Sequence, residues 1–138
     1  MIQRIQSVWF LLASACAFLS LKMPFFIGTN KYGIASYKLT GTENIGIMLL
    51  TIVIGSLAFV TIFLFKKRRL QIRLSVFGIM LELFLIFLMC MEVREFLAGT
   101  GSFALTSLLH SLVLLFFFLA IRGIGKDARI IRESNRLR

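Results

Sequence analysis

Two ionisable side chains interrupt long apolar stretches, where they could relay protons or bind a cation. Glu82 lies in "GIMLELFLIFLMC", residues 78 to 90, and His110 is the only histidine. Counted from Arg73 and Arg122 along helices, they lie about 13 Å and about 18 Å from the same membrane surface. Because a charged group at that depth costs about 2.5–3.5 kcal/mol, we expect the two side chains to meet inside a helical bundle.

A contact between Glu82 and His110 has two interpretations. In the structural one, a hydrogen bond worth about 1 kcal/mol fixes the register of two apolar helices. In the functional one, the pair titrates and carries protons or a cation across the membrane. One carboxylate and one imidazole are few groups for a pathway, and the spans lack the broken-helix pattern of many transporters. The structural role is therefore favoured, and a small proton- or cation-coupled carrier is the alternative.

Small and hydroxyl residues accompany the pair. Ser75 and Gly78 precede Glu82 by seven and four residues, so they share its helix face. Residues of this kind let membrane helices approach closely and supply hydrogen bonds between them. We therefore expect a polar face to support the pair, formed by Ser75, Thr106, Ser107 and Ser111.

The sequence gives little support for metal binding, nucleophilic catalysis or cofactor binding. The two cysteines, Cys16 and Cys90, are far apart and lack metal-ligand spacing, so the sequence predicts no metal site. A nucleophilic role for Ser107 or Ser111 beside His110 competes with ordinary bonds to backbone carbonyls. Without a phosphate-binding glycine loop or a cofactor fingerprint, we predict a noncatalytic protein with no cofactor.

The elements that must position the pair are four apolar blocks. Hydrophobic residues make up 59% of the 138-residue chain, above the roughly 45–50% of soluble domains. Each block approaches the roughly 20 residues that a helix needs to cross a bilayer, and none alternates as a β-barrel strand would. The sequence predicts one domain, an all-α integral membrane four-helix bundle with spans at about 7–27, 45–65, 74–93 and 103–121.

The start of the first span could also be interpreted as a cleaved lipoprotein signal. "LLASAC" resembles a lipoprotein processing site at Cys16, but the apolar run continues past the cysteine for a full span. We therefore expect a retained helix rather than a cleaved signal.

The distribution of positive charge orients the bundle. Of 16 Lys and Arg residues, twelve fall in the segments on the amino-terminal side of the membrane and four in the opposite loops. The positive-inside rule then places both termini in the cytoplasm. Apart from Arg4, the cytoplasmic set is Lys66, Lys67, Arg68, Arg69, Arg73, Arg122, Lys126, Arg129, Arg132, Arg136 and Arg138.

The connections differ in character. Residues 28–44 have turn formers at both ends, which indicates a small hairpin or cap on the outer surface. The connection "EVREFLAGTGS" predicts a tight helical hairpin. In the basic tail, residues 122–138, Ile124, Ala128 and Ile131 continue a helical periodicity, so we expect an amphipathic extension of the last span.

The cytoplasmic cations predict contact with anionic lipids of the inner leaflet, each worth about 1 kcal/mol near the surface. The tail has a second interpretation, as a docking element for another membrane or cytosolic protein. A nucleic-acid partner is not expected, because the cluster lacks the aromatic and motif positions of such interfaces.

Three cytoplasmic segments carry a resemblance: "MIQRIQSVWFLL", "KKRRLQIRL" and "LAIRGIGKDARIIRESNRLR". With them, the whole chain resembles an uncharacterised family of small four-helix inner-membrane proteins of the Bacteroidota. The resemblance implies a bacterial inner membrane and four spans with both ends inside, and it brings no reaction or ligand. Together with the residues, it favours a noncatalytic accessory or assembly subunit of a larger membrane complex.

Overall fold

The chain is built from four helices and a small sheet. The computed structural model describes residues 3–29, 33, 36–65, 67–94, 96 and 101–136. Within them the elements are α1 (Gln3–Ser20), β1 (Pro24–Gly28), β2 (Tyr37–Thr40), α2 (Ile45–Phe63), α3 (Arg68–Val93), β3 (Ser102–Phe103), a 3₁₀ turn (Leu105–Ser107) and α4 (Leu108–Arg136). The all-α prediction is correct for the bundle and misses the sheet.

The helices run up and down in chain order. Helix α1 packs against α2 and α4, and α3 packs against the same two helices from the other side. The Trp9 ring stacks on Phe116 of α4 at 5.8 Å, and the Ser14 hydroxyl donates to the backbone oxygen of Gly55 in α2 at 3.0 Å. The start of α1, the α2–α3 turn and the end of α4 therefore share one end, here called the basic end. The strands occupy the other, the sheet end.

Small residues bring α1 and α2 close together. Ala13 and Ala17 of α1 and Ala58 of α2 are completely or almost completely buried. At Gly55, an added Cβ would lie 3.0 Å from the Phe18 ring, so the ring rests directly on the α2 backbone. The small side chains therefore allow close van der Waals contact between the two helices.

The sheet closes one end of the bundle. Its strands are antiparallel in the order β2-β1-β3, with Phe26 opposite Leu39 on one side and Phe103 on the other. The Phe26 ring makes edge contacts with the Phe96 and Phe103 rings at 5.0 and 5.3 Å. The hairpin indicated for residues 28–44 is present, and it starts earlier, at Pro24.

Two predicted boundaries differ from the structure. The first predicted span, 7–27, runs from α1 into β1, because the helix ends at Ser20. Pro24 cannot continue a helix, and the aromatic and β-branched residues after it favour a strand. The connection before α4 is not a tight helical hairpin, since Ser102–Phe103 pairs with β1.

Three helices are long and apolar enough to cross a membrane: Ile45–Phe63, Arg68–Val93 and Leu105–Lys126. The apolar part of α1, Ile5–Ser20, is shorter. Helix α4 continues without a break into the basic tail as far as Arg136, which confirms the predicted helical extension. Ile124 of that extension is fully buried, while Arg122 and Lys126 are exposed.

Candidate functional site

The structure brings Glu82 of α3 and His110 of α4 into direct contact. Oε1 of Glu82 lies 2.8 Å from Nδ1 of His110, and the two residues are 1% and 5% exposed. With the carboxylate ionised, the imidazole Nδ1–H donates this hydrogen bond. Each buried group thereby has a hydrogen-bond partner, which offsets the cost of removing it from water.

The periodicity of α3 places Glu82 at the centre of the buried face. Gln71, Ser75, Gly78, Leu85 and Met89 are buried with it, at steps of three and four residues that return to the same side of a helix. The exposed face of α3 is apolar, with Phe77, Phe84 and Phe87 each about half exposed. This arrangement, polar inside and apolar outside, is the one expected when lipid surrounds the helix.

On the basic-end side of the pair, the interior is closely packed. An added Cβ at Gly78 would lie 2.8 Å from the Phe117 ring, so the ring of α4 lies directly on the α3 backbone. Phe10 of α1 meets the Phe117 ring edge-on at 6.1 Å, and both rings are fully buried. These aromatic rings separate Glu82 from the basic end.

On the sheet-end side, His110 lines a cleft of about 180 Å³ between α3 and α4. The other lining residues are Phe25, Ile86, Met89, Cys90, Phe103, Ser107 and Ser111. Since Nδ1 of His110 is occupied by Glu82, Nε2 is the ring nitrogen left for a group entering this cleft.

The residues predicted to support the pair lie at different levels. Ser75 is fully buried, and its hydroxyl donates to the backbone oxygen of Gln71 at 2.8 Å, within its own helix. The Thr106 hydroxyl donates to the Pro24 backbone oxygen and thereby ties the 3₁₀ turn before α4 to the sheet. Ser107 and Ser111 line the cleft. Of the four residues predicted to support the pair, Ser107 and Ser111 therefore lie beside His110, while Ser75 bonds within its own helix and Thr106 contacts the sheet.

The predicted cationic residues collect at the basic end as far as they are described. Lys67, Arg68, Arg69 and Arg73 line a surface cleft of about 580 Å³, and Arg122, Lys126 and Arg129 are exposed on α4. Arg132 and Arg136 belong to the α4 backbone, whose side chains there are outside the description. Lys66 and Arg138 lie outside the described residues.

Among the described residues, no group of three or more His, Cys, Asp or Glu side chains could hold a metal ion. Cys16 and Cys90 have free thiols; Cys90 is exposed on α3. The chemistry available at the pair is therefore that of one carboxylate and one imidazole.

The comparisons with known proteins give a family. The model described as Domain of unknown function (DUF4293) matches residues 2–137. The chain belongs to this family. No curated protein and no solved structure matches the chain. Family membership therefore supplies no activity.

Sequence reasoning missed a polar contact at the sheet end. The Asn44 amide nitrogen donates to the Glu92 carboxylate, while the Asn44 amide oxygen accepts from the Gly46 backbone N–H at 2.8 Å and caps α2. The signal was present, because Asn immediately before an apolar helix is a strong N-cap. Its second partner lies 48 positions away and required the tertiary structure.

Proposed function

We propose that this protein is a noncatalytic accessory or assembly subunit of a larger complex in a bacterial inner membrane, docked through its basic end. The observation that carries the proposal is the separation of groups along the bundle: most of the described exposed cations at one end, a sheet at the other, and a buried pair between them. A bundle of this kind has a surface for a partner and few groups for chemistry.

Membrane insertion is supported by what the helices expose. Leu49, Phe77, Phe87 and Phe118 are between 54% and 61% exposed, one or more on each of the three long apolar helices. Exposed aromatic and aliphatic side chains in such numbers are unfavourable in water and ordinary against lipid. We propose that α1 is the fourth span, since it packs along α2 and α4, and that bilayer thinning accommodates its shorter apolar segment.

The orientation we propose has the basic end in the cytoplasm. The described cations of the α2–α3 turn and of α4 lie at this end, as the positive-inside rule requires of a cytoplasmic face. With four crossings, both termini lie on that same side. Lys22 and Lys38 are then on the outer side, next to the sheet.

The cleft formed by Lys67, Arg68, Arg69 and Arg73 is the proposed contact surface. Helix α3 begins here without an acidic residue in its first turn and without a side-chain cap, so its amide groups add to the positive potential. Both an anionic lipid headgroup and an acidic segment of a partner protein are attracted to such a surface. We propose that lipid occupies it in the isolated protein and that the partner docks over it.

Site-specific photocrosslinking in intact cells tests the docking surface. A photoreactive residue replaces Arg69 in one variant and Lys38 in a matched control at the sheet end. We expect a discrete adduct of one partner with the Arg69 variant and none with the control. The double variant Arg68→Gln/Arg69→Gln should also lose the partner on purification in mild detergent, while Lys22→Gln/Lys38→Gln keeps it. A chain that purifies alone and gives no adduct at either position would contradict the proposal.

A proton- or cation-coupled carrier is the second candidate, and the cleft at His110 is the observation that favours it. A proton could reach Nε2 from the sheet end, but further movement requires the Phe117 ring to leave Gly78. Proteoliposomes that hold the protein under a proton gradient distinguish the two candidates. The carrier hypothesis predicts that the unaltered protein gives proton-linked flux above that of empty vesicles and that Glu82→Gln and His110→Ala lower this flux. If the unaltered protein and both variants all stay at the level of empty vesicles, the carrier hypothesis is wrong.

A further inference from the structure

The sheet end contains a second, larger pocket outside the site described above. Its volume is about 500 Å³, within the roughly 300–1,000 Å³ of small-molecule sites. It is bounded by the sheet, the start of α2 and the end of α3, and its floor consists of Phe25, Leu39 and Ile47, all buried. The rim is formed by Tyr37, Thr40, Glu43, Asn44, Ile45, Glu92 and Phe96.

The charge of this pocket is opposite to that of the chain. The protein carries a net charge of +10 and has six acidic residues, yet the charged residues lining the pocket are Glu43 and Glu92. None of the described lining residues is Lys or Arg. Both carboxylates therefore attract a ligand that carries positive charge, and no described lining residue offers a positive charge of its own.

Neighbouring groups hold both carboxylates in place. The Tyr37 hydroxyl donates to Oε2 of Glu43 at 2.9 Å, and the Asn44 amide nitrogen donates to Oε1 of Glu92. Asn44 is itself fixed, because its amide oxygen caps α2. Each carboxylate has about four lone-pair positions, so these bonds leave acceptor capacity for a further donor.

The remaining walls fit the apolar part of a cationic ligand. The Tyr37 and Phe96 rings lie 6.2 Å apart and are tilted by 41° to each other. Aromatic faces attract an ammonium group within about 6 Å of the ring centre, and the buried floor suits a short aliphatic stem.

We propose that this pocket binds an alkylammonium group, the charged end of a small primary amine or of a lysine side chain. The ammonium lies between the Glu43 and Glu92 carboxylates, and its stem lies against Phe25 and Leu39. The proposal does not depend on a docking partner at the basic end, so each can fail without the other.

Isothermal titration calorimetry on the full chain in a neutral detergent tests the pocket. The probes are n-butylammonium chloride and its neutral isostere n-butanol, in buffer of physiological ionic strength. We expect saturable one-to-one binding of n-butylammonium and none of n-butanol. This comparison uses the unaltered protein and needs no variant to fold. Equal heats from both probes, or no saturable heat from either, would overturn the proposal.

Variants then assign the site. Glu92→Gln should weaken n-butylammonium binding about tenfold or more, since it removes one charged acceptor and keeps the size of the side chain. Asp127→Asn removes the same unit charge from α4 near the basic end and should leave binding unchanged. Equal affinity for both variants would contradict the assignment. A lysine blocked at both backbone ends distinguishes the source: binding at least as tight as that of n-butylammonium indicates a peptide lysine, and weaker binding indicates a free amine.

Discussion

From Glu82 toward the basic end, the next buried residues of α3 are Gly78, Ser75 and Gln71, and the Phe117 ring fills the space between helices. Toward the sheet end, α3 instead borders the cleft at His110 and then, at Glu92, the larger pocket of the sheet end. The difference follows from what separates the helices. Glycine and hydroxyl residues allow direct helix contact, whereas the strands stand between the helix ends and leave space beside them.

Among the described residues that line the two cavities of the sheet end, one is common to both. Phe25 of β1 is 3% exposed and lines both the cleft at His110 and the larger pocket. Phe25 is therefore a wall common to both cavities.

The strongest test of this contrast removes that wall. Phe25→Ala should lower the free energy of unfolding by about 4 kcal/mol, because it joins two existing cavities around a buried aromatic position. Phe103→Ala, in the same sheet but at a 60% exposed position, should cost about 1 kcal/mol through its lost edge contact with Phe26. Thermal unfolding in detergent, followed by circular dichroism, measures both. Equal losses of unfolding free energy in the two variants would mean that the position of Phe25 between the cavities has no particular effect on stability.

A second prediction concerns the boundary between the halves. His110→Ala should cost about 3 kcal/mol, because it leaves the Glu82 carboxylate buried without its hydrogen-bond partner. The double variant Glu82→Leu/His110→Leu removes both polar groups and should recover most of that loss. The same unfolding measurement applies. A double variant less stable than His110→Ala would contradict this prediction. It would mean that the pair stabilises the fold by more than each group's offset of the other's burial cost.

A third prediction compares added volume in the two halves. Gly78→Leu should cost about 2 kcal/mol, since Phe117 already occupies the space in which its side chain would lie. Ser107→Leu adds side-chain volume beside the cleft and should change stability by less than about 0.5 kcal/mol. A comparable loss in both variants would show that the sheet half is packed as closely as the basic half.

The smallest effect concerns the pocket rim. The hydrogen bond to Glu43, with the negative charge of that carboxylate, raises the pKa of the Tyr37 phenol above its ordinary 10.0. The bond therefore contributes to stability below pH 10 and is lost as the pH rises through the pKa of Tyr37. Glu43→Gln should lower this pKa toward 10.0, as measured by absorbance of phenolate in a Tyr32→Phe background. An unchanged titration would show that the Tyr37–Glu43 contact is absent in solution.

Most of the helical bundle could be predicted from the sequence, and less of the sheet could. Helix periodicity placed Ser75, Gly78 and Glu82 on one face of α3, and the composition of the blocks distinguished helices from barrel strands. The hairpin was indicated, but its third strand was missed, because β3 is two residues long and pairs with a strand more than seventy positions earlier. Short strands of this kind take their stability from tertiary partners rather than from local propensity.

What the sequence determined by itself is the apolar character of the helices, the continuation of α4 into the basic tail and the need of Glu82 for a partner, since all three depend on local composition and period. Only the tertiary structure decided that β1 inserts beside the helix ends, that Phe25 divides the space there, and that Glu43 and Glu92 share a pocket. Those features arise from contacts between segments distant in the chain, whose distances no local pattern specifies.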